Sequence, residues 1–130
     1  MFWDQLASVQ LAALDKQTPV LLNIAAIEQH GAHLPVATDR MIGEYFSGLL
    51  NKEIGDKVLI LPIVAVGCSD HHMGFCGTLT LSHATFSSLV KEIIQSVLNH
   101  GFYNIILLNS YGGNQGMMQV IIEQLGFANP

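Results

Sequence analysis

The chain has 130 residues, which is enough for one domain but too short for two. Half of the residues are apolar and 12% are charged, so much of the chain is expected to be buried, inside the domain or against partner subunits. The formal charge of -5 and the absence of a Lys/Arg cluster argue against a nucleic-acid partner, because phosphate binding requires clustered basic side chains.

The first half of the chain predicts two helices separated by a strand. Residues 4–16 have the pattern of a helix with Asp4 at its N-cap. A continuous apolar run at residues 20–24 is typical of a strand that is covered on both faces. Residues 39–52 predict a second helix, whose apolar positions follow the helical repeat: Ile42, Tyr45, Phe46, Leu49 and Leu50.

The middle of the chain predicts strands followed by a long helix. Residues 58–66 predict a second buried strand, in which Pro62 indicates a bend or an edge position. Residues 78–81 predict a short further strand. Ser82 is the expected N-cap of the clearest helix in the sequence, and Gly101 lies where a C-terminal glycine stop belongs.

The last elements complete an alternating pattern. Residues 103–108 predict a third long strand, and Asn114 begins a final helix. Apolar strands that alternate with amphipathic helices predict an α/β fold, with a parallel sheet flanked by helices on both faces. In such sheets chemistry gathers in the loops that follow the carboxyl ends of the strands. The unusual residues of this sequence lie in three such loops, at residues 28–39, 67–75 and 109–114.

The first loop carries four potential metal ligands, Glu28, His30, His33 and Asp39. Carboxylates and imidazoles are ligands that divalent first-row metals take. Glu28 and His30 are two residues apart, so in extended backbone their side chains point the same way. Asp39, at the start of the next helix, can return to the same point. The alternative is that the carboxylates are solvated and that the histidines are satisfied by backbone partners.

The second loop and the residues after it contain Cys68, His71, His72 and Cys76. One interpretation is a compact zinc site, but the spacing lacks the short paired C-x-x-C of structural zinc sites. The favoured interpretation is one histidine facing a pocket and two small buried cysteines. A Cys68 thiol activated by a neighbouring histidine is a further alternative.

The third loop, Gly112-Gly113-Asn114, joins a strand to the N-terminus of a helix. Glycines let the backbone approach a ligand closely, and exposed N–H groups favour anions. The alternative is a simple turn, because the loop lacks the spacing of a P-loop or a dinucleotide fingerprint. The sequence also lacks the G-x-S-x-G elbow of a serine nucleophile.

Together the three loops resemble the creatininase (creatinine amidohydrolase) family. The segment EQHGAHLP at residues 28–35, followed by Asp39, is similar to the family's EQHGPHLP…D signature. Residues 67–78 are similar to its second block, and NSYGGN at residues 109–114 is similar to its NGHGGN block. The resemblance covers almost all of this chain and about the first half of a typical member. We therefore expect residues 1–130 to be a single creatininase-like domain that lacks the family's C-terminal part.

The resemblance implies a three-layer α/β/α fold and hydrolysis of an amide or cyclic-amide C–N bond by a metal-activated water. It implies that Glu28 binds one ion, that His30 binds a second, and that Asp39 bridges a pair of zinc, manganese or iron ions. It places His72 at the pocket mouth, near the substrate or as a proton carrier. The remaining candidate substrate or pocket residues are His33, Ser69, Tyr111, Gly112, Gly113 and Asn114.

The sequence departs from the family pattern at several positions. Tyr111 stands where the family has a metal-binding histidine, and a neutral tyrosine is a poor ligand for zinc or manganese. Many members take a further acidic ligand from their C-terminal half, and Ala25, Ala32 and Cys76 replace family glycines or prolines. These departures leave two alternative functions. One is an active amidohydrolase in which Tyr111 or a subunit neighbour completes the site; the other is an inactive or truncated relative that acts as a binding or assembly protein.

The expected partners are a small-molecule amide and further copies of the chain. An apolar half-domain leaves sheet faces or edges uncovered, and the resemblance implies a homo-oligomer, commonly a hexamer. The longest apolar run, at residues 58–68, is too short to span a bilayer, which predicts no membrane partner. The start of the chain lacks the basic region of a secretory signal, and two cysteines do not form a disulfide framework, so we expect a reducing cytoplasm.

Overall fold

The centre of the fold is a three-stranded parallel sheet. The computed structural model describes the backbone of residues 1–128 and the side chains of residues 1–126. Strands β1 (Val20–Ile24), β2 (Leu59–Ile60) and β3 (Ile105–Asn109) lie in the order β2-β1-β3, so the first strand is central. Val20 aligns with Leu59 on one side and with Ile105 on the other. Because all pairings are parallel, the loops after the three strands meet at one edge of the sheet.

Within residues 1–128, four α-helices pack around this sheet: α1 (Ser8–Ala13), α2 (Thr38–Ile54), α3 (His83–Asn99) and α4 (Gln115–Ala128). Alternate residues of β1 point to opposite faces, as strand geometry requires. Val20, Leu22 and Ile24 pack with side chains of α3 and α4, among them Phe86, Val90 and Ile121. Leu21 points to the opposite face, into a smaller cluster that includes Leu50 of α2. The predicted parallel sheet with helices on both faces is confirmed.

The first predicted helix, over residues 4–16, is wrong in its extent and in its cap. Residues Trp3–Gln5 form a single 3-10 turn, and Asp4 lies inside this turn and does not cap a helix. Leu6 and Ala7 are extended, so α1 begins only at Ser8. Leu6 packs against the main core in this extended conformation, which interrupts the helix.

The strand predicted over residues 58–66 is much shorter in the structure. Only Leu59–Ile60 is a strand, and an isolated bridge joins Val64 to Ile24. Pro62 lies between them and has no N–H to donate, which explains the break in the ladder. The strand predicted over residues 78–81 is likewise reduced to one bridge, in which Leu79 pairs with Ile27 in the antiparallel direction.

Helix α2 is present as predicted, but its apolar stripe faces outward. Tyr45 and Phe46 are 65% and 57% exposed, and Ile42 is also exposed. Gly43 instead faces the sheet, together with Asp39 and Ser47. A Cβ atom on Gly43 would lie 2.5 Å from Oδ1 of Asn23 and 2.8 Å from Oγ of Ser110. The close approach of this helix to β1 therefore requires small residues on the inner side.

The second half of the chain follows the sequence prediction closely. Ser82 caps α3, its Oγ accepting a hydrogen bond of 3.2 Å from the Thr85 N–H. Gly101 has a φ of +87°, which is the left-handed conformation expected of a helix stop. Helix α4 begins at Gln115, directly after the predicted Asn114. Among the helices of residues 1–128, none is long and apolar enough to cross a membrane.

Candidate metal centre

The side chain of Asn114 holds the three loops together. It is fully buried, and its Nδ2 donates a hydrogen bond of 2.9 Å to the carbonyl oxygen of Ala25, just after β1. Its Oδ1 accepts a hydrogen bond of 3.0 Å from the N–H of Cys68, in the loop after β2. A Cβ atom on Gly67 would overlap the same amide, so only glycine fits there. Asn114 is thus a structural brace between loops that carry the candidate ligands.

Glu28, His30 and Asp39 meet at this edge, and their potential ligand atoms all lie within 4.8 Å of one another. Nε2 of His30 is 3.5 Å from Oδ1 of Asp39, and Nδ1 of His30 is 3.9 Å from Oε1 of Glu28. These separations exceed hydrogen-bond lengths of about 2.7–3.2 Å. Two ligands of a tetrahedral zinc ion at ~2.1 Å lie about 3.4 Å apart. The His30–Asp39 spacing therefore resembles that of two ligands around one cation.

The carboxylates of this group are buried and incompletely bonded. Glu28 is 6% exposed and Asp39 is 7% exposed. Within the described part of the chain, Oε2 of Glu28 and Oδ2 of Asp39 are buried without a hydrogen-bond partner. Burial raises the pKa of Asp39; Glu28 raises it further, whereas His30 and His72 lower it. Two buried carboxylates that each keep one oxygen without a hydrogen bond are unfavourable without a cation, so these residues fit a divalent metal.

The orientation of His30 leaves one ring nitrogen facing Asp39. Its Nδ1 lies 3.4 Å from the backbone carbonyl oxygen of Glu28. A metal-binding histidine commonly donates its second ring N–H to such a carbonyl, which fixes the ring and leaves the other nitrogen for the ion. In this arrangement Nε2 of His30 is the free nitrogen, and it faces Asp39.

Two neighbouring histidines approach Glu28 from the second loop. The 3-10 turn Asp70–His72 brings the rings of His71 and His72 into contact, with centroids 4.5 Å apart. Nε2 of His72 is 3.6 Å from Oε2 of Glu28, and the three residues form a second group of possible ligands. The sequence pattern favoured only one histidine facing the pocket. The structure instead brings both histidines to Glu28, and the adjacent pair in the sequence was the signal available for this.

The cysteines of the second loop are separate from these groups. Cys68 is buried, as predicted, and burial raises the pKa of its thiol. Cys76, also predicted to be buried, is exposed, as are all the residues from Met73 to Gly77. Neither thiol belongs to a group of possible metal ligands within residues 1–126.

Tyr111 lies buried beside Glu28 and the second-loop histidines. Its hydroxyl group is 3.3 Å from Nε2 of His71. Burial, followed by the nearby Glu28 carboxylate, raises the pKa of Tyr111 to about 12, against an opposing effect of Ser69. Asn109 fixes the backbone of Tyr111 on both sides, donating to its carbonyl oxygen at 2.6 Å and accepting from its N–H at 3.2 Å. A neutral phenol at this place can donate a proton or a hydrogen bond, but it is a poor metal ligand.

The family model described as Creatininase: Creatinine amidohydrolase matches residues 4–129 of this chain. The chain belongs to the creatininase family. It is 33% identical over 112 residues to the mycofactocin precursor peptide peptidase of Mycolicibacterium smegmatis, an alignment that covers 83% of this chain and 45% of that protein. It is 27% identical over 114 residues to the creatinine amidohydrolase of Pseudomonas putida, covering 84% and 42% of the two chains.

The fold is that of solved members of the creatininase family. A structure described as "Creatininase Mn" matches with a TM-score of 0.82 at 24% identity, over 99% of this chain and 54% of that one. This chain therefore spans about half the length of the curated relatives it matches. The creatininase resemblance of the three sequence blocks is confirmed.

The remaining candidate pocket residues of this creatininase-family chain differ in their burial and in their contacts. Ser69 is fully buried, and its Oγ has no hydrogen-bond partner among the described residues. Gly113 lies against the ring of Tyr111, where a Cβ atom would be 2.5 Å from Cε1. His33 and Gly112 are exposed and lie outside both ligand groups in the described chain. Substrate contact by these residues stays a prediction.

Proposed function

We propose that this chain carries the metal-binding site of a hydrolase that cleaves the C–N bond of an amide or cyclic amide. The observation that supports this most directly is the meeting of Glu28, His30 and Asp39 with two unpartnered buried carboxylate oxygens. The relatives reported above are named as a peptidase and an amidohydrolase, and both names denote hydrolysis of an amide-type bond.

Glu28, His30 and Asp39 would together hold an ion of zinc, manganese or iron. When bound there, such ions polarise the amide carbonyl and lower the pKa of the attacking water. Glu28 and Asp39 are buried, so the site keeps bulk water away from the charges that it must stabilise. Nδ1 of His30 lies 3.4 Å from the backbone carbonyl oxygen of Glu28, and Nε2 faces Asp39.

Two side chains beside this group could move the proton that the leaving nitrogen requires. His72 is the candidate from the sequence, and its imidazole can accept and release a proton. Tyr111 is the second candidate, since its raised pKa of about 12 keeps the phenol protonated at neutral pH. The rates of His72→Gln and Tyr111→Phe, each compared with that of the unmodified chain, would show which side chain carries the proton.

The direct test is hydrolysis by the purified protein loaded with Mn²⁺ or Zn²⁺. Creatinine and a set of short peptides would serve as cyclic and linear amides, with amine release followed by mass spectrometry. We expect metal-dependent turnover that Asp39→Asn abolishes and that the exposed control His83→Gln retains. Tight binding of the ion without cleavage of any amide would instead support the alternative, a binding or assembly protein that keeps the family fold.

A further inference from the structure

We propose a second cation site formed by Glu28, His71 and His72, in which His71 supplies the imidazole that the third strand lacks at Tyr111. This inference rests on the proposed function, because the two sites share Glu28. The two oxygens of that carboxylate face different histidines: Oε1 lies 3.9 Å from His30, and Oε2 lies 3.6 Å from His72. One carboxylate therefore stands between two clusters of possible ligands.

The spacing of the second cluster is that of a coordination sphere. The potential ligand atoms of Glu28, His71 and His72 lie within 4.8 Å of one another. The 3.6 Å between His72 and Glu28 is longer than a hydrogen bond. It is close to the ~3.4 Å that separates two ligands of one tetrahedral zinc ion. An ion between the two atoms accounts for this gap better than a direct hydrogen bond does.

The same cluster contains buried polar atoms that have no hydrogen-bond partner among the described residues. Glu28 is only 6% exposed, and its Oε2 has no hydrogen-bond partner among the described residues. Nδ1 of His72 is buried and equally unpartnered. The rings of His71 and His72 are 4.5 Å apart, so both imidazoles lie beside the same carboxylate. Two imidazoles and one carboxylate are a donor set that zinc, manganese or iron binds.

Tyr111 lies next to the His71 ring, which supplies the proposed imidazole from the second loop. Its buried hydroxyl group contacts Nε2 of His71 at 3.3 Å, so the phenol holds the ring near Glu28 without acting as a ligand. His71 itself is exposed, which leaves the cluster open to solvent and gives a cation a path of entry. A cation in this site occupies His72, so proton transfer to the leaving nitrogen then falls to Tyr111.

The test is the number of ions bound per chain, which needs no substrate. Equilibrium dialysis against Zn²⁺ with elemental analysis would be applied to the unmodified chain, to His71→Gln, and to the matched exposed control His83→Gln. We expect two ions for the unmodified chain and the control, and one tightly held ion for His71→Gln, with the second weakened at least ~10-fold. Cobalt substitution would show the loss of one nitrogen donor in the visible spectrum.

A double variant tests whether a histidine that follows β3 can replace His71 as a ligand. We expect His71→Gln combined with Tyr111→His to regain the second ion, because an imidazole returns to the same cluster from β3. Thermal unfolding in chelator should change little in His71→Gln, because the side chain is exposed and its contact with the Tyr111 hydroxyl is long, at 3.3 Å. This measurement separates ligand loss from misfolding.

Several outcomes would overturn the inference. Two ions bound with equal affinity before and after His71→Gln would exclude His71 as a ligand. A single ion in the unmodified chain, removed by Asp39→Asn, would refute the second site and leave the proposed function intact. Two ions of which one depends on His71, together with no amide hydrolysis, would support the site and refute the proposed function. A chain that binds no ion would overturn both.

Discussion

Nε2 of His30 lies 3.5 Å from Oδ1 of Asp39, although the two residues belong to different elements. His30 is in the loop after β1, and Asp39 is in the first turn of α2, where it is 7% exposed. Burial raises the pKa of Asp39, which means that the folded, metal-free protein disfavours the ionised carboxylate. The same carboxylate should therefore bind a cation strongly and weaken the fold when the cation is absent.

This relationship predicts opposite effects of Asp39→Asn on metal binding and on stability. The affinity for Zn²⁺ or Mn²⁺ should fall by more than ~100-fold, since removal of a ligand exceeds the effect of losing its support. The melting temperature in chelator should rise, because a neutral amide replaces a buried charge. Calorimetric unfolding with and without metal measures both effects. A lower melting temperature in chelator would show that the ionised carboxylate stabilises the fold.

Removal of the Asn114 side chain should weaken the whole site. Asn114→Ala leaves the Ala25 carbonyl and the Cys68 N–H without their partner, and we expect the free energy of unfolding to fall by about 2–4 kcal/mol. Urea unfolding measures this loss. The exposed neighbour Gln115→Ala is the control and should have little effect. Equal losses in both variants would show that the loss reflects the start of α4 and not the brace.

Two glycines of α2 should respond in opposite directions to alanine. Gly43→Ala places a Cβ atom 2.5 Å from Asn23, so the free energy of unfolding should fall by about 1–3 kcal/mol. Gly48→Ala meets no described atom within 4 Å and should raise it by about 0.5–1 kcal/mol, since alanine favours the helix. Paired denaturation curves measure the contrast. A stabilising Gly43→Ala would mean that α2 does not pack closely on β1.

The two cysteines should differ in their reactivity. Burial raises the pKa of Cys68, so little thiolate forms there at pH 8, whereas Cys76 is exposed. Iodoacetamide should therefore modify Cys76 in the folded protein and Cys68 only after unfolding, as followed by peptide mass spectrometry. Cys76→Ser is the control, and it should leave the folded protein unreactive. Rapid modification of folded Cys68 would revive the hypothesis of an activated thiol.

The outward face of α2 should mediate self-association. Met41, Ile42, Tyr45 and Phe46 are 44–65% exposed on one side of this helix, and such apolar patches mark interaction surfaces. We expect a homo-oligomer by light scattering at micromolar concentration, and dissociation in Phe46→Glu. Asp56→Lys, which changes charge at an exposed site beyond this patch, should not dissociate it. A monodisperse unmodified monomer would refute the prediction.

The sequence predicted the fold where local pattern and tertiary structure agree. The repeat of α3, the Ser82 cap and the Gly101 stop are local features, and the structure contains all three. The orientation of α2 could not be predicted from its apolar repeat. The close packing of α2 on β1 requires Gly43 to face the sheet, and Phe46 therefore faces outward.

The candidate site also combines features that the sequence predicts with features that only the structure shows. The spacing of Glu28, His30 and Asp39 indicated a common centre, because it follows from a strand end and a helix start. The position of His71 depends on the 3-10 turn Asp70–His72, which has no periodic pattern in the sequence. The structure alone therefore shows that two consecutive histidines reach one carboxylate.

Helix α2 carries Asp39 in its first turn and the apolar stripe along its outer side. A helix behaves nearly as a stiff rod, and Gly43 seats this one directly on Asn23. Because the Asp39 carboxylate and the exposed side chains of Tyr45 and Phe46 belong to one helix, we expect a molecule that packs on this outer side to change the distance between Asp39 and His30. Contact at the protein surface and the geometry of the candidate ligands are then linked through α2.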